Sequence, residues 1–214
     1  MSFAIPPLYP ILDASMLPPV NRSARLEQLC SELMSAGITL LQYRNKTGSE
    51  REILDDAAIM RGALPQGRCA LVMNDRADLA VLAGFDGVHI GQEDLSPAGA
   101  RSVVGPGRIV GISSHNGEQL QKASQAPVDY IAIGPVFATA SRLNPDPVVG
   151  LEGIRMARGL TTLPLVAIGG ITPQNCRQVW DAGADSIAVI SSLFQSPSGD
   201  SPAQVTKDFL AQFR

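Results

Sequence analysis

Asp75 and Asp94 are the residues whose spacing most directly invites chemistry. Asp75 follows a short apolar run, Ala70 to Met73, by way of Asn74. Asp94 follows a second run, Val88 to Ile90, and an apolar Ala/Leu/Val segment ending at Gly84 lies between the two. That order reads as strand, helix, strand. Parallel neighbours in one sheet lie about 5 Å apart, so both carboxylates would leave the same edge as a pair able to hold a divalent cation. Oxygen ligands without cysteine favour Mg²⁺ over zinc, and Mg²⁺ commonly takes one or two carboxylates together with substrate phosphates. Two solvated loop acids have the same spacing, so the surroundings must decide. Arg44 and Lys46 flank Asn45 after another apolar run, Thr39 to Tyr43. Cations at the end of an apolar strand suit an anionic ligand; the competing reading is a salt bridge to acids such as Asp75. Ser113 follows Ile109 to Ile112 and can hydrogen-bond an anion. Gly169-Gly170 follows Leu165 to Ile168 and lets backbone N–H groups approach an anion with no side chain between. Of the two histidines, His89 lies within a strand, where a satisfied core imidazole is expected, and His115 is ambiguous. Neither accompanies the Ser or Cys elbow of a nucleophilic dyad.

The elements that must position these groups repeat along the chain. Further apolar runs at Leu8 to Leu12, Tyr130 to Ile133 and Ile187 to Ile190 bring the strands to eight. Segments of helical spacing separate them. Ser49 with Glu52 forms a capping box, and Ser96-Pro97, Thr172-Pro173 and Ser201-Pro202 set proline at a first helical position. Asn116 with Gln119 also reads as a helix cap. The joints Ala36-Gly37, Ala83-Gly84-Phe85-Asp86 and Ala182-Gly183-Ala184-Asp185 place glycine where a helix ends, and Ala126-Pro127-Val128-Asp129 is a variant. Eight βα units, with strands apolar on both faces, predict an α/β chain folded as one (β/α)₈ TIM barrel over residues 1–214. The functional face of that fold is made by the C-terminal strand ends and the loops after them. Asp13-Ala14-Ser15, after the first strand, reads as turn chemistry. Beyond the sixth strand, the loop from Thr139 to Pro147 is long enough to close over a ligand. The glycine pair after the seventh strand and Ile190-Ser191-Ser192 after the eighth match the frequent barrel phosphate site. Two phosphorylated substrates, or one doubly phosphorylated, would fit.

Composition excludes other classes. The net charge is −3 and aromatic residues are 5% of the chain, so neither a basic footprint nor a stacking platform for nucleic acid is present. The hydrophobic fraction of 45% supplies a core. Cys30, Cys69 and Cys176 lack metal-ligand spacing and read as small buried hydrophobes in a reducing compartment. The first residues are too short and uncharged for a signal peptide, and no apolar run nears the roughly 18 residues of a membrane helix. The expectation is a soluble cytoplasmic protein with small-molecule partners, no membrane or nucleic-acid partner, and an oligomeric state that the sequence leaves open.

Seven stretches in order, QYRNK (42–46), NDRADLA (74–80), GVHIGQEDL (87–95), GISSHN (111–116), GPVFAT (134–139), AIGGI (167–171) and AVISS (188–192), resemble the thiamin phosphate synthase family over nearly the whole chain. The resemblance implies a transferase of thiamine biosynthesis that joins hydroxymethylpyrimidine diphosphate to hydroxyethylthiazole phosphate with Mg²⁺, releasing pyrophosphate. It assigns Gln42, Tyr43, Arg44, Asn45, Lys46, Asn74, Ser113 and Arg142 to the pyrimidine diphosphate, with Arg44, Lys46, Ser113 and Arg142 catalytic. Asp75 and Asp94 would bind Mg²⁺, and Thr139, Ala140, Ser141, Gly170, Ile190 and Ser191 the thiazole phosphate. The family's Thr-x-Thr-Lys stands here as Thr139-Ala140-Ser141-Arg142, which keeps the charge but changes its geometry. A related thiazole tautomerase would carry histidine where Pro135 stands. A Schiff-base aldolase would need a strand-end lysine, for which Lys46 is the candidate. A non-catalytic thiamin phosphate-binding protein is the alternative from another class.

Overall fold

The computed structural model describes residues 4–139, 146–195 and 199–213. Its strands are β1 (Leu8–Asp13), β2 (Leu40–Arg44), β3 (Ala70–Asn74), β4 (Gly87–Ile90), β5 (Ile109–Ser114), β6 (Tyr130–Ile133), β7 (Leu165–Ile168) and β8 (Ser186–Val189). All are parallel, and they close in sequence order with β1 paired to β8. Around them lie α1 (Arg22–Ser35), α2 (Glu50–Ala63), α3 (Ala77–Leu82), α4 (Pro97–Val104), α5 (Gly117–Ser124), α6 (Gly150–Leu160), α7 (Cys176–Asp181), α8 (Ser191–Phe194) and α9 (Pro202–Gln212). The expected (β/α)₈ barrel is therefore the fold. No helix among the described residues is long and apolar enough to cross a membrane.

The strands read as continuous apolar runs because both of their faces are covered. Leu8, Leu12, Leu41 and Tyr43 point outward into the large core beneath the helices, while Tyr9, Ile11, Leu40, Val72, Tyr130 and Val166 pack together inside the barrel. Truncating a fully buried residue such as Leu41 to alanine would cost about 2–5 kcal/mol, since the surrounding layers cannot collapse onto the cavity. Three helices end alike. After α1 the N–H of Ile38 donates to Leu33 and that of Gly37 to Met34; after α3 Phe85 and Gly84 donate to Ala80 and Val81; after α7 Ala184 and Gly183 donate to Val179 and Trp180. This is the Schellman pattern, and each glycine has the positive φ that it requires.

The expected caps at Ser49, Ser96, Asn116 and Ser201 are formed. Thr172-Pro173 differs. A turn occupies these residues, Asn175 Oδ1 accepts from the Thr172 N–H, and α7 begins only at Cys176. The Thr172 carbonyl accepts from the Asn175 N–H at 3.1 Å and the Cys176 N–H at 3.0 Å, so the turn leads directly into α7.

On the N-terminal rim, away from the strand ends that carry chemistry, one arrangement occurs three times. Asp86 accepts from the Leu71 N–H at 2.8 Å and from Arg61 at 2.5 Å. Asp129 accepts from Val110 at 2.7 Å and Arg101 at 2.6 Å, and Asp185 from Leu165 at 2.8 Å and Arg158 at 2.7 Å. Each aspartate precedes an even-numbered strand, holds the start of the odd strand before it, and pairs with an arginine of the helix leading into that odd strand. Conserving the barrel's register at its base is the physical effect.

Candidate active site

Alternation along β2 sends Gln42 and Arg44 into the barrel and Tyr43 out of it. Arg44 lies in register with Asp13 of β1, and their side chains form an ion pair. Asp13 also accepts from the Ser15 N–H at 3.0 Å and the Ser15 hydroxyl at 2.6 Å, so the expected turn chemistry is present. Burial pushes the Asp13 pKa up, but the Ser15 bonds and the Arg44 guanidinium more than offset it and leave the group below the usual carboxylate range. Tyr43 does not join the mouth: it is fully buried, and its hydroxyl donates to Asp56 of α2 at 2.5 Å. Asn45 is likewise engaged, donating to the Tyr43 hydroxyl at 3.1 Å and accepting from the Gly48 N–H at 2.7 Å. It shapes the turn that aims Lys46.

Lys46 reaches across to Asp75 and forms an ion pair with it. Asp75 has φ 62°, a left-handed conformation uncommon for residues with a side chain, and its N–H donates to the His89 carbonyl at 2.7 Å. The Asp94 carboxyl lies within hydrogen-bonding reach of Asp75; burial and this second carboxylate raise the Asp75 pKa, against the opposing pull of Lys46. Asp94 is in turn oriented by the Gly91 N–H, which donates to it at 2.7 Å. The two acids thus meet at one sheet edge. No third His, Cys, Asp or Glu completes a cluster among the described residues. A cation here would find two protein carboxylates, with its other positions left for phosphate oxygens and water, which suits Mg²⁺.

Asn74 ends β3 in register with His89. Ser113 sits near the end of β5, partly exposed, and its carbonyl accepts from the exposed Gln92 side chain at 2.5 Å. On the other side of the mouth, Gly169 and Gly170 have φ 105° and 64°. A Cβ on Gly170 would lie 2.6 Å from the Ala138 carbonyl and 2.7 Å from Phe137 Cβ, so the glycines also admit the chain that leaves β6. Ile168 of β7 is in register with Ala188 of β8, which continued by two residues sets Gly170 beside Ile190. Ser191 opens the short α8 directly after it. Thr139 is partly buried. Ala140, Ser141 and Arg142 lie outside the described residues.

Sequence reasoning missed a line of polar groups inside the barrel. His89 bonds through both ring nitrogens, Nδ1 2.9 Å from the Tyr130 hydroxyl and Nε2 2.8 Å from the Ser113 hydroxyl. Burial pushes its pKa down to about 4. Tyr130 contacts Tyr9 at 2.9 Å, and Gln42 Nε2 donates to Tyr9 at 3.0 Å. One signal was legible: Gly111, opposite Tyr130, where a Cβ would lie 2.0 Å from the tyrosine ring. His115 is explained by structure instead, its Nδ1 2.7 Å from the Gly134 carbonyl and 3.4 Å from Asp146.

Fold and site together define a class: a (β/α)₈-barrel enzyme with cations, a carboxylate pair and a glycine turn at its C-terminal mouth, the arrangement by which such barrels take phosphorylated small molecules. A family model described as thiamine monophosphate synthase matches residues 8–193, and the chain belongs to that family, one of transferases in thiamine biosynthesis. A thiamine-phosphate synthase of Koribacter versatilis is 60% identical over 193 residues, covering 90% of this chain and 91% of the relative. One from Agrobacterium fabrum is 39% identical, covering 87% and 86%. Among solved structures, a thiamine phosphate pyrophosphorylase from Pyrococcus furiosus superposes with a TM-score of 0.82 at 30% identity over 96% of this chain and 94% of that one.

Proposed function

We propose that the mouth couples hydroxymethylpyrimidine diphosphate to hydroxyethylthiazole phosphate, giving thiamin phosphate and pyrophosphate, with Mg²⁺ held by Asp75 and Asp94. The observation that carries this reading is the convergence of Arg44 and Lys46 with that carboxylate pair at adjoining strand ends. Displacement of pyrophosphate from the pyrimidine methylene builds negative charge on the leaving group. Lys46 and Arg44, now paired with Asp75 and Asp13, would turn to neutralise that charge, an attraction that is strongest where water is excluded. Bound Mg²⁺ would supply further charge neutralisation at the diphosphate. Gln42, Asn74 and Ser113 would orient the pyrimidine diphosphate. Arg142 would stand in for the family's lysine.

The thiazole nitrogen is already nucleophilic, so the reaction asks for no general base. Electron donation from the aminopyrimidine favours departure of pyrophosphate through a cationic intermediate. Gly170, Ile190 and Ser191, with Thr139 and Ser141, would hold the thiazole phosphate and so place the nitrogen against that carbon. A cytoplasmic location accords with this reading. The test is to incubate purified protein with both substrates and Mg²⁺ and assay thiamin phosphate by mass spectrometry. Tight binding of thiamin phosphate without turnover would favour the non-catalytic alternative.

A further inference from the structure

The polar groups inside the barrel form one unbroken chain from Gln42 through Tyr9, Tyr130 and His89 to Ser113, with successive contacts of 3.0, 2.9, 2.9 and 2.8 Å. Each hydroxyl carries one proton, and a neutral imidazole carries one N–H, so the direction of one link sets the direction of the rest. Gln42 donates its amide N–H to the Tyr9 oxygen. Tyr9 then gives its proton to Tyr130, because a fully buried donor left unmade is costly. Tyr130 gives its own to His89 Nδ1. The ring proton of His89 is thereby placed on Nε2, where it is donated to Ser113 Oγ.

Packing holds the chain in this geometry. Tyr130 stacks on His89 with ring centroids 5.6 Å apart and planes at 21°, and Tyr9 meets Tyr130 edge-on at 5.8 Å and 84°. Gly111 leaves the space that the Tyr130 ring fills. Ser113, having accepted from His89, keeps its own O–H for a partner elsewhere. It is the chain's partly exposed end, one residue before the C-terminal end of β5 at the barrel mouth.

We propose that Tyr130, backed by Tyr9, is a positioning residue: acting through the Nε2–H form of His89, it makes Ser113 a hydrogen-bond donor aimed at the anionic end of the ligand in the mouth. The proposal rests on the reading above for the identity of that ligand, the pyrimidine diphosphate. The opposite polarity, with Ser113 donating to Nε2 and His89 protonated on Nδ1, would make Ser113 an acceptor toward the ligand.

The two polarities separate by spectroscopy without turnover. The chain has only two histidines, so ¹⁵N-histidine labelling of a His115→Gln variant leaves His89 as the single signal in a long-range ¹H–¹⁵N spectrum. Protonation on Nε2 is expected, and its loss of preference in Tyr130→Phe; protonation on Nδ1 in the parent overturns the proposal. Kinetics add a readout that mere packing would not move. Tyr130→Phe keeps the ring and should raise KM for the pyrimidine diphosphate on the order of tenfold, with the thiazole KM within about twofold. Ser113→Ala should raise it similarly, and the double variant should be no worse than Ser113→Ala alone. Additive effects in the double variant, or a lowered Tm with both KM values unchanged in Tyr130→Phe, would reduce the tyrosine to a packing role. A failure of the parent to make thiamin phosphate would sink the functional reading instead, while the His89 spectrum would still decide the polarity.

Discussion

Asp75 joins three constraints in one residue. Its backbone is left-handed, its carboxylate is paired with Lys46, and Asp94 crowds it from the loop after β4. Asparagine tolerates the left-handed region as well as aspartate does, so Asp75→Asn removes the charge without adding strain. We expect that variant, and EDTA treatment of the parent, to abolish most thiamin phosphate formation while the fold persists by circular dichroism. Full activity in metal-free buffer would remove the proposed metal site. Asp13 lends itself to a pH test. Its folded pKa is depressed, so its contribution to stability is complete above the unfolded value of about 3.9 and is lost as pH falls through the lower folded value. Asp13→Asn should therefore lower Tm at neutral pH, with the deficit closing in acid. A deficit that grows on acidification would contradict the pairing with Arg44.

Among the elements, the turn after β7 and the aspartate at the foot of each even strand from β4 onward differ in what they do. Gly170 combines φ 64° with close approach to Ala138 and Phe137. Even alanine there should cost roughly 1–2 kcal/mol in backbone strain alone and push the β6 loop aside. Gly170→Ala should accordingly lower Tm and raise the thiazole phosphate KM more than the pyrimidine KM; equal changes in both would speak for general distortion. The rim aspartates sit on the opposite end of the barrel. Asp129→Ala leaves the Val110 N–H without its carboxylate, at a cost of roughly 1–3 kcal/mol. Because Asp129 and Asp185 share no partner, chemical denaturation of the double variant should show nearly additive losses, with kcat unchanged. A fall in kcat would show that the two ends of the barrel are coupled.

For the whole molecule, closure is the decisive feature. β1 bonds to β2 on one side and β8 on the other, with Tyr9 in register with Ala188, and the Pro7 carbonyl accepts from Ile187 and from Trp180. Removing residues 1–12 would expose β2 and β8 as unpaired edges and delete Tyr9 from the interior chain. Such a protein should aggregate or lose its single unfolding transition, as read by size-exclusion chromatography and thermal melting. A soluble variant with one sharp transition would mean that the seven remaining strands suffice.

How much of this was legible in the chain depends on the range of the physics involved. Strands buried on both faces write themselves as apolar runs, and Gly37, Gly84 and Gly183 mark helix ends because the conformation they adopt is local. Those signals determined the barrel, and with it which residues stand at the mouth: Arg44, Lys46, Asp75, Asp94, Ser113 and Gly170 could be placed there from sequence. Side-chain direction and partner choice were decided only by tertiary structure. Strand alternation turned Tyr43 out of the barrel toward Asp56. α7 begins at Cys176, past Thr172-Pro173, after a turn closed on the Thr172 carbonyl. The bond between Tyr9 and Tyr130 spans 121 residues and exists because opposite walls of a closed barrel meet inside it. Nothing in the neighbourhood of either tyrosine could encode that contact, since it depends on the closure of all eight strands.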